Sequence, residues 1–379
     1  ISCGQSNTSA TKEAWNEINN PAEMSLGHED YVMEFGKLPL AGKLTKHPWS
    51  ADYWPTYRGG ISQRWNKSSP NGGYVGIEER AGYKILTRDQ VLAMTLDEKK
   101  ELSPAEKFDI FTGRFDFPLT NQERRRTRVM RTISGSPEFD ENFEIPGWEG
   151  LCHGWAPGAI NFDEPRSTSL VSADNIEVPF GSADIKGLLT FVEHAVPSKT
   201  NFLAGRCELD FTGYLYREPI YDEFQKTLDN LRTQLTNRTI TRGEYNAKVA
   251  EARKSYDGRL TEIDNWIKSQ RDSDECRDTN AGSFHIVITN QIGMRNEGFV
   301  ADVTRDYQVW NQPVNGFSSE VIADFSGLPA ITAALGESYL TQAAPGTVRV
   351  VQIKTMMNYV VETGSTYEPQ TFTAGEDES

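Results

Sequence analysis

The sequence predicts an α+β fold: an antiparallel sheet packed against the helix that follows Cys152, with a helical hairpin inserted into that core. Three observations carry the prediction. A cysteine stands among glycines and tryptophans in the stretch Pro146 to Ala159, just ahead of a small-residue run able to open a helix. Three apolar, β-branched segments occupy the last third of the chain. Between residues 217 and 272 two apolar seams repeat at helical spacing, as in paired antiparallel helices.

Length and charge bound what the chain does. Its 379 residues suffice for two or three domain-sized units. With 39 basic and 54 acidic residues the net charge is −15, which argues against nucleic acid or an anionic membrane surface as the main partner. No apolar run of about 18 residues is present, so no transmembrane segment is expected.

In chain order, residues 1–30 are polar and read as a flexible leader. Its start, Ile1-Ser2-Cys3-Gly4, is similar to a bacterial lipoprotein cleavage box, which makes Cys3 a lipidation candidate; an accidental cysteine at a frayed terminus is the alternative. Residues 31–130 hold an aromatic arm and a helical region. Around Trp49, Tyr53, Trp54 and Tyr57, prolines and paired glycines forbid a long helix. The arm is therefore expected to dock permanently on the side of the sheet rather than to close over a cleft as a lid. Helices are expected from Thr87 to Met94 and after Ser103, which forms a capping box with Glu106.

Residues 131–216 and 273–369 are assigned to the core, and an apolar strand is expected to end at His194. Residues 217–272 are the inserted hairpin. Tyr221, Phe224, Leu228, Leu231 and Leu235 form its first seam, and the pair Thr241/Glu244 caps its second helix. Strands are expected at 283–289, 298–304 and 347–361, followed by an acidic tail at 370–379. With Cys3 lipidated and Cys152 catalytic, Cys207 and Cys276 remain as a disulfide pair that would staple the base of the hairpin. No cysteine or histidine spacing suggests zinc.

A thiol at a helix start gains thiolate stabilisation, and flanking glycines admit a substrate backbone. Cys152 is accordingly the candidate nucleophile. Of the five histidines, only His285 lies in a segment apolar enough to hold an imidazole rigidly. Asp302, on the next expected strand, could orient that ring after a short hairpin from Asn290 to Gly298. Nucleophile, base and orienting carboxylate in that layout describe a thiol acyl-transfer enzyme.

Three stretches, WEGLCHGWAPGA (148–159), CRDTNAGSFHIVITN (276–290) and VWNQPVNGF (309–317), together resemble the oomycete elicitor transglutaminases and their bacterial relatives. The likeness extends to DYWPTYRGGI (52–61) and LSPAEKFDIFTGRFDFPLTNQER (102–124), and so to roughly residues 30–365. It implies a papain-like, transglutaminase-like core and protein-glutamine γ-glutamyltransferase activity dependent on calcium. It also implies a triad at Cys152, His285 and Asp302. The 309–317 stretch looks like the peptide that plants recognise in the oomycete enzymes, although Asn315 stands where that peptide has a basic residue. Pro146 stands where papain-like enzymes carry their oxyanion glutamine, so the backbone amide of Cys152 and the indole of Trp148 are the substitutes. Trp148, Trp155 and Trp310 are expected to line the substrate cleft. No EF-hand loop is present; acidic stretches such as 138–142 and 161–164 could hold a hard cation, although surface solvation explains them equally well, and the calcium ligands are unassigned.

The reaction so implied joins a glutamine carboxamide to a lysine or a small primary amine. A cysteine protease or glutamine deamidase would use the same triad with water as acceptor. A non-enzymatic surface or immune-recognised protein on a degenerate catalytic fold is the third reading. The expected location is secreted, periplasmic or, with Cys3 lipidated, the cell surface.

Overall fold

The computed structural model describes residues 19–25, 30–65, 76–196, 199–205, 209–210, 213–270, 279–304, 307–343 and 346–363. Cys3, Cys207, Cys276 and the acidic tail lie outside the described residues, and with them the expected lipidation and disulfide. The chain divides into two compact units. One comprises Ile1–Asn201, Ala281–Val303 and Trp310–Ser379, and the other Phe202–Asn280 and Thr304–Val309.

In the larger unit two short 3-10 helices (Pro21–Ser25 and Phe35–Lys37) precede a short strand, β1 (Ala41–Lys43), and the aromatic arm. Five helices follow: α1 (Ile77–Arg80), α2 (Arg88–Ala93), α3 (Leu96–Lys100), α4 (Pro104–Phe111) and α5 (Pro118–Thr127). Capping boxes at Thr87/Gln90, Thr95/Glu98 and Ser103/Glu106 start α2, α3 and α4, each satisfying two otherwise orphaned amides. After α6 (Cys152–Asn161) come a small hairpin, β2 (Thr168–Val171) with β3 (Glu177–Phe180), and α7 (Ser182–Ala195). The smaller unit contains α8 (Tyr214–Thr236) and α9 (Arg242–Gln270), the latter opened by the Thr241/Glu244 box. The larger unit resumes with α10 (Ala281–Ile288), a wider π-helical turn (Thr289–Arg295), β4 (Phe299–Asp302), β5 (Asn311–Ser326), α11 (Leu328–Leu335), α12 (Glu337–Gln342) and β6 (Arg349–Tyr359).

The main sheet is antiparallel and centred on β5, which pairs with β1, β4 and β6. Its start packs against α6, so the mixed α+β class with a sheet against the cysteine helix is the observed architecture. The sequence does not signal β5 as a strand, because Pro313 and Gly316 interrupt its apolar pattern. Both residues lie near its paired start, where a bulge at Val314/Gly316 takes up the irregularity; a second register shift follows at Val321/Ala323.

Two expected strands are helices. The 283–289 segment forms α10 and the first residue of the π-helical turn, with Ser283, His285, Ile286, Val287 and Ile288 all buried. A run buried on every side carries no period that separates strand from helix, and here packing overrides β-propensity. Thr289 Oγ1 and Asn290 Nδ2 then donate to the carbonyls of His285 and Ile286 at 2.6 and 2.8 Å, easing the passage into the wider turn. That turn replaces the hairpin expected after Asn290. His194 likewise ends helix α7 and not a strand. Residues 19–25 of the expected flexible leader belong to the fold: Ser283 Oγ donates to the Asn19 carbonyl, and Tyr31 Oη to that of Met24.

The aromatic arm is core, as expected, but its main surface is helical. Trp54 is 3 % exposed and packs on Gly187 of α7, where an added Cβ would come within 2.7 Å of the indole. Trp49, 2 % exposed, joins Ala51, Cys152, Trp155, Ala159 and Val360 in one cluster. Two ion pairs with buried lysines tie these elements together. Lys107 meets Asp184 at 2.6 Å, tying α4 to α7, and Lys186 meets Glu164 at 2.7 Å and the Ser50 carbonyl at 2.8 Å, tying α7 to the arm.

Candidate active site

The start of α6 is shaped by the arm. Leu151 donates its N–H to the Tyr53 carbonyl at 2.6 Å, and Thr56 donates to Glu149 at 2.8 Å. A Cβ on Gly150 would lie 2.5 Å from the Tyr53 carbonyl oxygen, so only glycine allows this approach. On the inner face of α6, Gly154 admits the Thr190 carbonyl of α7, with no room for a methyl group. Trp155, expected at the cleft, is instead fully buried, and its indole N–H donates to the Trp49 carbonyl at 3.2 Å. Trp155 is a core residue because its position, three beyond Cys152, turns it toward the arm.

Cys152 is the first residue of α6 and is 5 % exposed. Burial pushes its thiol above the ordinary value, and the Glu362 carboxylate adds to that. Opposing them, backbone and side-chain N–H groups of Asn311 and the backbone N–H of His153 donate to the sulfur. The Asn311 amide stands 3.6 Å from Sγ. Burial wins, so the resting group is a neutral thiol in a socket already furnished with thiolate-stabilising donors.

Asp302 reaches the same place along the sheet. It pairs with Asn311 in the β4–β5 ladder, and its Oδ1 accepts the Trp310 N–H at 3.0 Å. Asp302 thus fixes the turn into β5 that presents Asn311 to the sulfur. Trp310 packs on Tyr53 with ring centres 5.2 Å apart, forming an aromatic wall. Trp148 is half-buried in the loop before α6.

His285 is elsewhere in its bonding. Its ring lies against Phe35 with centres 5.5 Å apart, and neither ring nitrogen has a hydrogen-bond partner among the described residues. Burial holds its basicity below the usual histidine value. The structure therefore brings Cys152, Asp302 and Trp310 to one end of β4 and β5, and does not hydrogen-bond His285 to the thiol or to Asp302. A different imidazole pair flanks α6: His153 Nε2 and His194 Nδ1 are 2.8 Å apart. Both are less basic than usual because of burial, with the Arg126 charge acting in the same direction.

Sequence reasoning missed Tyr53, Asn311, Gln312 and Glu362 as site residues. Asn311 and Gln312 lie inside the 309–317 stretch and Tyr53 inside the arm, while nothing local marks Glu362.

Three carboxylates of the acidic stretches are already engaged in ion pairs. Asp163 is paired with Lys46 at 3.0 Å, Glu164 with Lys186 at 2.7 Å, and Asp140 with Arg131 at 2.5 Å. Carboxylates already neutralised by cations are poor ligands for a hard divalent ion. Among the described residues no three His, Cys, Asp or Glu side chains are grouped to hold a metal. Also among them, no helix is long and apolar enough to cross a membrane.

The family description "transglutaminase elicitor" matches residues 131–232 and 249–374, more than half of the chain. Among solved structures, the chain is similar to the GP42 transglutaminase from Phytophthora sojae. The TM-score is 0.52 at 20 % identity, over 93 % of this chain and 76 % of that one. At that identity the likeness speaks for the fold. No curated protein matches the chain.

Proposed function

Because the chain belongs to the transglutaminase elicitor family, we propose that it is a protein-glutamine γ-glutamyltransferase acting through Cys152. The observation that carries this reading is the thiol itself: buried at the start of α6, approached by the Asn311 amide at 3.6 Å, and flanked by the Tyr53–Trp310 wall. In this reading Cys152 attacks the carboxamide carbon of a glutamine side chain, and ammonia leaves. The amine of a lysine or small primary amine then displaces the sulfur and forms the new amide. The Cys152 backbone amide and Trp148 would face the oxyanion. Asp302 positions Asn311 through the Trp310 N–H. Asn311 stabilises the sulfur anion as it forms. Aromatic walls that limit water favour an amine acceptor over hydrolysis, and so favour this reaction over that of a thiol hydrolase.

The base role falls to His285 by family resemblance, and it requires a conformation in which the ring leaves Phe35 and reaches Sγ. That bonding pattern favours a second reading, a recognised surface protein on a catalytic scaffold that does not turn over. One experiment decides between them. The protein is incubated with a glutamine-containing donor peptide and a labelled primary amine, with and without calcium, while ammonia is measured. Incorporation that requires Cys152 supports the transferase. Ammonia release without incorporation means a deamidase, and neither product leaves the non-enzymatic reading.

A further inference from the structure

Beside the thiol lies a set of buried acceptors that the reaction as described leaves unused. Gln312, 3 % exposed, donates its Nε2 to Glu362 Oε2 at 3.0 Å. The other oxygen of each group, Gln312 Oε1 and Glu362 Oε1, is buried with no hydrogen-bond partner among the described residues, and so is Thr363 Oγ1. The segment carrying Glu362 is pinned. Val360 N–H donates to the Pro313 carbonyl at 3.0 Å, Thr363 N–H to that of Ala51 at 2.9 Å, and Ser50 Oγ to that of Val361 at 2.5 Å. Val360 belongs to the Cys152 cluster. Burial first, and Glu362 among the weaker contributions, raises both the Cys152 thiol and the Tyr53 phenol, so the carboxylate is within electrostatic reach of both.

Buried acceptors with no donor are costly, and a negative charge among them more so, unless a ligand supplies the donors. The missing complement is a small cation rich in N–H groups. An alkylammonium has the complementary chemistry: three N–H donors and one positive charge for the oxygens Glu362 Oε1, Gln312 Oε1 and Thr363 Oγ1.

We propose that Gln312, Glu362 and Thr363 form the subsite that binds the protonated primary amine of the acyl acceptor beside Cys152. This inference rests on the transglutaminase reading and names its second substrate as a primary alkylammonium, as in a lysine side chain or a diamine. On transfer the new C–N bond forms as the thioester C–S bond breaks. Of the two protons the ammonium sheds, one goes to the leaving sulfur and the other passes through Glu362 to solvent. Glu362 is thereby a specificity residue for charged acceptors over water.

The test compares two acceptors, a labelled alkyldiamine, cationic at neutral pH, and hydroxylamine, uncharged there. For Glu362→Gln the ratio of kcat/KM for the diamine to that for hydroxylamine falls at least tenfold, mainly through the diamine KM, and Glu362→Asp restores part of it. An unchanged ratio overturns the subsite. A binding measurement needs no turnover: ethylammonium chloride raises the melting temperature of the Cys152→Ala protein above an equal concentration of sodium chloride. Ammonium chloride as a third arm separates an alkylammonium site from one for released ammonia. The added Glu362→Gln substitution removes the ethylammonium increment. An increment equal with sodium, or unaffected by Glu362→Gln, overturns the subsite. If ethylammonium binds through Glu362 while the wild type releases no ammonia from any glutamine donor, the subsite stands and the transferase reading fails.

Discussion

Cys152 and His285 are equally buried, each 5 % exposed, and each sits on a short helix of the same compact unit. Their surroundings differ in kind. The sulfur of Cys152 is met by N–H donors from Asn311 and His153, and the loop before it is bonded to the arm. The two nitrogens of His285 meet carbon and remain unpartnered among the described residues. Burial alone therefore does not mark a reactive group; donors arranged for a charge that has yet to form do. The α6 end offers donors to the sulfur, whereas α10, in this conformation, is packed as core.

The largest expected effect falls on the first of these regions. Cys152→Ala removes the nucleophile with little change in volume, so amine incorporation should drop to background while the melting temperature moves little. Wild-type incorporation in that variant would remove the distinction between the two helices.

Next in size is the packing that holds α6 in place. Gly154→Ala would drive a methyl group into the Thr190 carbonyl of α7. Overpacking of this kind costs about 1–3 kcal/mol or more. Denaturant unfolding should report the loss, with thiol accessibility rising at denaturant concentrations where the wild type still protects Cys152. No loss of stability would mean that α6 and α7 can slide apart freely.

What was legible in the sequence followed from local rules. The Ser103/Glu106 and Thr241/Glu244 boxes, the paired helices α8 and α9, and β4 and β6 all carry signals within a few residues. The cysteine announced itself through Gly150, Gly154 and the tryptophans. The rest depended on partners distant in sequence. α10 has no polar face to reveal its period, because the residues around it cover every side. Trp155 was misplaced for the reverse reason: its partner, the Trp49 carbonyl, lies 106 positions away in sequence. The pairing of Gln312 with Glu362, 50 positions apart, has no local signal either.

A smaller effect tests the donors at the sulfur. Asn311→Leu removes the amide 3.6 Å from Sγ and should push the thiol further up. At 3.6 Å the contact is long, so the loss is set at that of one ordinary hydrogen bond, roughly 0.5–1.5 kcal/mol, which corresponds to a roughly twofold to tenfold slower alkylation of Cys152 near neutral pH. Alkylation no slower than in the wild type would show that the amide does not support the thiolate. The comparison with His285 would then lose its chemical basis.

The smallest effect concerns His285 as a core residue. Burial lowers its pKa from 6.5 in the folded chain. Above pH 6.5 the ring is neutral in both states and its packing contributes fully. As the pH falls below that value the unfolded chain takes up a proton that the folded chain resists. Stability is therefore lost on acidification, by at most about 1.4 kcal/mol per pH unit for one such group, until the depressed folded value is reached. His285→Phe removes this linkage and two unpartnered nitrogens, at a site already lined by Phe35. Stability at neutral pH should be unchanged or higher by about 1 kcal/mol, and the acid limb of the stability curve should become shallower. His153 and His194, depressed in the same direction, keep part of the slope. A variant that gains stability and loses incorporation would make His285 the base, held in reserve at a cost to the fold. One that gains stability and keeps incorporation leaves the imidazole a core residue and turns the search for the base to His194, by His194→Ala.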